Sequence, residues 1–271
     1  MRLSLPARSK GRPRTQTPEI RTTLIISDLH IPEMDMAAYN ATLHFIRDKR
    51  PTYLFVAGDM LDLHSFSSFA KDPELDHRTE ESLEMANDVL DALQEASPTT
   101  IIKFIAGNHE KRLTRTLYEI PEVLPFVTKG KKPDQLLVDA LNLERRNIDY
   151  YGYPEVVNHH GFYITHGEAA GLHAAKKELE THGVSGVSGH CHANRYWERR
   201  GRNGVTQWWS IGGLCSRDVA YRPNNSWVGG IGYLSQIVGS DVFSFAALPI
   251  VKGQFLYDGK TYCQDGAFET V

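Results

Sequence analysis

Five short clusters of carboxylate, imidazole and amide side chains recur along the chain: Asp28-Leu29-His30, Gly58-Asp59, Gly107-Asn108-His109-Glu110, His166-Gly167 and Gly189-His190-Cys191-His192. These residue types bind divalent cations. Two cations held roughly 3.5–4 Å apart can clamp a phosphoryl group and activate a bridging water for in-line attack. Such a centre needs a shared anionic ligand, with harder and softer donors around each ion. An all-oxygen set would suit magnesium or calcium better, whereas aspartates mixed with imidazoles suit manganese, iron and zinc. The series therefore reads as a two-metal site that cleaves phosphoesters. Two divalent transition-metal ions are expected, manganese first, with iron, zinc or nickel as alternatives. One such motif would be weak, but five in this order are not.

The elements that must position these clusters are legible beside them. Each cluster closes a short run that is apolar or β-branched: Leu24 to Ser27, Tyr53 to Ala57, Ile101 to Ala106, Phe162 to Thr165 and Val184 to Ser188. Runs of this length read as buried strands, and ligands in open α/β sheets gather at the carboxyl ends of strands. Helices are expected at about 34–49, with Ala38, Leu43, Phe45 and Ile46 as its apolar stripe, at 79–96, 111–119, 135–142 and 169–182. Glu80, Glu81 and Glu84 suit the positive end of the second helix. Paired strands are expected over 147–165. From Trp197 onward the pattern is β-rich, with turns at 201–204 and at Asp258-Gly259.

Composition is that of an ordinary globular chain of 271 residues, 41% hydrophobic and 23% charged, with a net charge of −3. No apolar run approaches the roughly 18 residues needed to span a bilayer, and residues 1–22 lack the apolar core of a signal peptide. Three scattered cysteines, Cys191, Cys215 and Cys263, do not make a disulfide framework, so a cytoplasmic protein with reduced thiols is expected. Residues 1–22 carry Arg2, Arg8, Lys10, Arg12, Arg14 and Arg21 against Glu19 alone, and Pro6, Pro13 and Pro18 oppose a regular helix. This segment is expected to be a disordered basic tail, followed by a single domain over 23–271. Its Lys10-Gly11-Arg12-Pro13-Arg14 run resembles the core of an AT-hook, a minor-groove DNA ligand.

The order Asp-x-His, Gly-Asp, Gly-Asn-His-Glu, His-Gly, Gly-His-x-His resembles the calcineurin-like metallophosphoesterase superfamily over residues 24 to about 215. The resemblance implies a four-layer α/β/β/α sandwich with two facing mixed sheets. It also implies that Asp28, His30 and His192 hold one metal, that Asn108, His166 and His190 hold the other, and that Asp59 bridges them. His109 would then point at the phosphate and protonate the leaving group, with Asp62 steadying its imidazole. The run Gly58-Asp59-Met60-Leu61-Asp62 also resembles that of Ser/Thr protein phosphatases, but Leu63 stands where those carry a phosphate-gripping arginine. Residues 58–73 resemble phosphoesterases of bacteriophage and bacterial genomes.

The expected activity is hydrolysis of phosphomonoesters, phosphodiesters or both through a metal-bridging hydroxide, with a tilt towards nucleotides or nucleic acid. The alternatives are a phosphoprotein or small-metabolite phosphatase and, from another class, a DNA-binding scaffold. The stretch Arg195, Arg199, Arg200 and Arg202 is either a solvated turn or a contact to a phosphate backbone. His64, Phe66 and Phe69 either line the substrate mouth or staple a loop to the core. Glu110 is expected to buttress its loop rather than bind metal, and Lys111 and Arg112 either touch a phosphate or, as expected first, lie on an exposed helix. Cys191 is expected to face away from its neighbours, and Trp208, Trp209 and Trp227 to be core or sheet residues. His159, His160, His173 and His182 show no spacing that links them to the site.

Overall fold

The structure is a computed structural model that describes residues 18–67, 79–202, 204–217 and 225–269. The Lys10–Arg14 motif, most of the basic segment, Phe69 and residues 71–73 lie outside the described residues. In chain order the elements are β1 (Ile20–Ile26), α1 (Met36–Lys49), β2 (Tyr53–Ala57), α2 (Thr79–Ala96), β3 (Ile101–Ile105), α3 (Glu110–Tyr118), α4 (Leu124–Thr128), α5 (Asp134–Ala140) and β4 (Asp149–Tyr151). The second half follows with β5 (Val156–His159), β6 (Phe162–Thr165), α6 (Ala174–His182), β7 (Gly186–Ser188), β8 (Arg195–Gly201), β9 (Gly204–Ser210), β10 (Gly229–Ile237), β11 (Phe243–Ile250), β12 (Phe255–Tyr257), β13 (Lys260–Cys263) and β14 (Gly266–Glu269).

Two mixed sheets face each other. One has the order β11-β10-β1-β2-β3-β4, the other β5-β6-β7-β9-β8. Side chains alternate across each strand, so Leu24 and Ile26 pack outward under the helices while Ile25, Phe55, Ala57 and Ile105 face inward onto Phe162, Ile164 and Val187. Burial on both faces is why these strands read as continuous apolar runs rather than alternating ones. The helices α1 and α2 cover the first sheet, and α6 covers the second through Ala175, Leu179 and the buried Trp208. This is the expected α/β/β/α layering. Among the described residues, no helix is long and apolar enough to cross a membrane.

Three local expectations need correction. The strands over 147–165 do not all pair with one another: β5 and β6 form a hairpin, but β4 joins the other sheet, parallel to β3. A three-residue strand is placed by the edge it meets, which local sequence cannot reveal. The helix expected from Ala169 begins at Ala174, because Gly171 adopts φ +84° and keeps the preceding residues as a loop. The β-rich end is divided: β10 and β11 extend the first sheet, while β12–β14 form a separate small sheet that packs Phe255 and Tyr262 against Phe45 of α1.

His159 belongs to this packing rather than to the site. It is 4% exposed between Tyr53 and Phe55, and its Nε2 lies 2.8 Å from the Thr23 hydroxyl. Burial, reinforced by the positive charges of His160, Lys103 and Arg21, pushes its pKa down to about 3. Between the unfolded value near 6.5 and that lowered value, only the unfolded chain takes up the proton. The stability His159 contributes is therefore complete above pH 6.5 and is lost as pH falls towards 3. Denaturant titrations of His159→Phe should show a shallower acid decline than wild type between pH 6.5 and 4.5, by up to about 1.4 kcal/mol per pH unit. Parallel curves would contradict this.

Candidate metal centre

The five clusters converge where β1, β2, β3, β6 and β7 end. Five of their non-glycine residues adopt left-handed backbone: Asp28 (φ 56°), His30 (48°), Asp59 (51°), His190 (62°) and His192 (48°). Asp and His enter that region more readily than most side chains, yet each such residue still carries strain. The sharp turns reverse the chain directly after each strand, so that successive side chains reach one spot. Two glycines make the loops fit: a Cβ on Gly107 would overlap Asp59, and one on Gly189 would overlap Ser27 and Asp28.

Asp28, His30 and His192 make one group of potential ligands, and Asp59, His166 and His190 make another. In the first, Asp28 Oδ1 lies 3.3 Å from His192 Nε2 and 3.8 Å from His30 Nε2, and those two nitrogens are 3.2 Å apart. In the second, Asp59 Oδ2 lies 3.3 Å from His166 Nε2, while Asn108 Oδ1 is 3.0 Å from the same nitrogen. Asp59 Oδ2 is also 3.8 Å from His30 Nε2, so this carboxylate stands between the groups. The outer atoms of several ligands are held by the backbone. His166 Nδ1 donates to the Ala57 carbonyl at 2.9 Å, and Asp28 Oδ2 accepts from the His190 amide at 3.0 Å. Cys215 Sγ lies 3.3 Å from His192 Nδ1.

These donors fit divalent cations. Among the described residues Asp28 Oδ1 is buried with no hydrogen-bond partner, and a buried carboxylate oxygen without a donor is costly unless a cation faces it. Burial alone would raise the Asp28 and Asp59 carboxyls, but His192 and His30 around the first, and His166 and His109 around the second, hold both below the usual range. Burial likewise opposes charge on His30 and His166, yet Asp28, Asp62 and Asp59 lift these imidazoles to about 10 and about 9. Imidazolium protons thus supply the positive charge there, and a cation that took their place would release them.

A third group of possible ligands, His30, Asp62 and His109, is tied by a hydrogen bond on one side, where His109 Nδ1 donates to the Asp62 carbonyl oxygen at 2.9 Å. Asp62 Oδ1 lies 2.8 Å from His109 Nδ1 and 3.5 Å from His30 Nδ1. Glu110 is 2% exposed and holds the loops together, accepting from the backbone N–H of Asp59 (2.9 Å), Leu61 (2.9 Å) and Gly107 (2.7 Å). Burial and the nearby Asp59 raise its pKa. Above the centre opens a cavity of about 1010 Å³. His30, Asp59, Asp62, Asn108, His109, His190 and His192 line it, while Asp28 and His166 lie buried beneath.

With this geometry in view, the comparison with known families is decisive. The calcineurin-like phosphoesterase family model matches residues 21–228. The chain belongs to that family. It is a metal-dependent phosphoester hydrolase whose family implies two divalent cations, and the two ligand groups are candidates to hold them. The chain is also similar to the Gene 54 proteins of Mycobacterium phage D29 (25% identical, covering 88% of this chain and 97% of that protein) and of Mycobacterium phage L5 (24%, with the same coverages). Among solved structures it is similar to Vps29 of Chaetomium thermophilum (TM-score 0.45, 12% identical, 90% and 99% covered) and to a dimetal phosphatase from Danio rerio (TM-score 0.41, 12% identical, 94% and 98% covered).

Several residues of this phosphoesterase site differ from expectation. Cys191 does not face away: the His190–His192 segment is a tight turn, not a strand, and leaves Cys191 on the cavity wall. Trp227 is not a core residue but stacks on His192 (centroids 4.1 Å apart, planes at 16°) at the cavity rim. Trp208 is core, buried under α6, where His182 stacks on it. His64 lines the cavity, whereas Phe66 packs against the core. Arg112 is not on a solvated face, because its guanidinium folds over Asp62 and His109. The signal was available: position 112 lies three residues after His109, on the same face of a helix.

Proposed function

We propose that this chain hydrolyses phosphate esters of nucleotides or nucleic acid at a centre of two divalent cations. In this reading Asp28, His30 and His192 hold one cation, Asn108, His166 and His190 hold the other, and Asp59 is shared. The observation that carries it is the pair of nitrogen-and-carboxylate groups meeting at Asp59 under an open cavity, with Asp28 Oδ1 accepting no hydrogen bond among the described residues. The mixed nitrogen and oxygen donors favour manganese, with iron, zinc or nickel as alternatives. Bound there, the cations supply Lewis-acid polarisation of water and of the phosphoryl oxygens.

The side chains divide the remaining work. Asp59 supplies negative charge to both cation positions and fixes the His109 amide, which donates to Asp59 Oδ1 at 2.9 Å. His109 is the catalytic imidazole: Asp62 holds its Nδ1 through its carbonyl oxygen at 2.9 Å and Oδ1 at 2.8 Å, and Nε2, once released from the Arg112 guanidinium and protonated, delivers the proton that the departing oxygen needs. Three unpaired cysteines suit a cytoplasmic site of action.

The nucleic-acid tilt is supported by Arg195, which lines the cavity at the start of β8. From there β8 carries Arg199 and Arg200 outward on an exposed edge strand, with the exposed Arg202 in the turn that follows. Arg195 and Arg199 share one face of this strand and Arg200 takes the other, and such a concentration of charge suits a phosphate backbone, to which the basic segment before residue 22 would add. A phosphoprotein or small metabolite has no use for such a concentration. The double variant Arg199→Glu, Arg200→Glu is expected to depress turnover of an end-phosphorylated or nicked oligonucleotide at low salt on the order of tenfold more than turnover of an aryl phosphate. Equal effects, or an oligonucleotide cleaved no faster than the aryl phosphate by wild type, would remove the tilt.

A further inference from the structure

We propose that Arg112 grips the phosphoryl group and gives the site its preference for phosphomonoesters over diesters; this rests on the phosphoesterase reading above. The side chain sits on the first turn of α3, is 16% exposed, and lines the cavity beside His109, Asn108 and Asp59. Its Nη1 donates to the Asp62 carbonyl oxygen and its Nη2 to His109 Nε2, both at 2.8 Å. A guanidinium carries five N–H donors. Those two contacts, with the longer one to Asp62 Oδ1 at 3.5 Å, are the partners of Arg112 among the described residues. Donors therefore remain for a ligand.

The carboxylate contact to this charge is also long. A structural arginine normally takes its carboxylate as a close, forked pair. Here Asp62 Oδ1 gives its short contact, 2.8 Å, to His109 Nδ1 and stands 3.5 Å from Arg112. The backbone carbonyl of Asp62, not its carboxylate, is what fixes the guanidinium. Other cations near this wall are engaged elsewhere: Lys111 lies over the Tyr153 ring, and Arg115 donates to the Phe66 carbonyl and pairs with Glu119. The residue after Asp62 contributes no charge, since Leu63 is buried at φ 49°. The helix following the third cluster thus supplies the cation that the loop following the second does not.

A guanidinium placed there favours a doubly charged terminal phosphate, with its three free oxygens, over a singly charged diester that offers fewer. On binding, one phosphoryl oxygen takes the Nη2 hydrogen from His109 Nε2, freeing that nitrogen to take up a proton from solvent and pass it to the leaving oxygen.

The test compares an aryl phosphomonoester and an aryl phosphodiester with the same leaving group, using full-length metal-reconstituted protein and its Arg112→Ala and Arg112→Lys variants. Inorganic phosphate serves as inhibitor and as titrant in calorimetry. Arg112→Ala should lose about 10–100-fold in monoester kcat/KM and weaken phosphate binding by a similar factor, with a loss in diester kcat/KM about tenfold smaller. Added guanidinium ion should restore part of the monoester activity. Arg112→Lys, which keeps the charge without the fork and guards against a folding failure of the alanine variant, should show the same pattern at smaller size. Equal losses on both esters, with phosphate binding unchanged, would overturn the proposal and leave Arg112 as a prop for His109. A wild type inactive on every ester would instead overturn the phosphoesterase reading, and phosphate calorimetry would still decide whether Arg112 binds the anion.

Discussion

Replacing Asp59 by asparagine is expected to reduce turnover on the order of a thousandfold or more while leaving the fold intact. Asparagine enters the left-handed region as readily as aspartate, so the φ of 51° at this position is kept. Its carbonyl oxygen can still accept from the His109 amide. What changes is Oδ2, which faces His166 at 3.3 Å, His109 at 3.7 Å and His30 at 3.8 Å. That single atom serves both ligand groups, so losing its charge weakens two cation positions at once. Metal analysis of the variant should give fewer than the roughly two ions per chain expected for a two-metal centre, with an unchanged circular dichroism spectrum. Turnover within tenfold of wild type, with both ions retained, would refute the shared-ligand role.

The largest effect on stability is expected at Glu110, which touches no substrate. Its two oxygens accept three backbone N–H groups, from Asp59, Leu61 and Gly107, at a position 2% exposed. Glutamine has nearly the same shape but turns one acceptor into a donor, so at least one buried N–H meets another. A buried donor left unpaired costs about 1–3 kcal/mol, and bonds to a charged acceptor are the stronger ones lost. Glu110→Gln should therefore cost about 3 kcal/mol, or roughly 6–12 °C in Tm. The loops it ties carry Asp59 and Asn108, so metal affinity should also fall, about 10–100-fold as for other residues that support ligands. A Tm within about 2 °C of wild type would mean that water or a shifted loop satisfies those amides.

What could be read before folding was chemistry attached to strand ends. Asp28, Asp59 and His166 each follow an apolar run, and such runs announce buried strands whose carboxyl ends share one edge. The layering was legible for the same reason, because Leu24 to Ile26 and Tyr53 to Ala57 are apolar on both faces. The local backbone was not legible. Nothing in Asp28-Leu29-His30 states that both polar residues turn left-handed, since that conformation is imposed by distant contacts such as the Asp28 amide donating to the Gly58 carbonyl at 3.0 Å. Trp227 was misplaced because its position depends on how the chain returns to the site before β10, more than thirty residues after His192, and Arg195 was left open because local sequence does not say that β8 starts at the cavity wall. Arg112 was ranked as solvated first and as a phosphate contact second, because a basic residue on a short polar helix reads as solvated unless its face is checked against His109.

The central claim is that two cations bind between these ligand groups and that turnover depends on them. The most direct measurement strips the metal, adds back manganese, nickel, zinc or magnesium separately, and follows bound metal per chain alongside hydrolysis of an aryl phosphomonoester. The account predicts occupancy rising to about two ions per chain, with turnover appearing as the second ion binds and manganese among the best. Full turnover with the metal stripped, or occupancy that saturates at one ion without loss of rate, would contradict it.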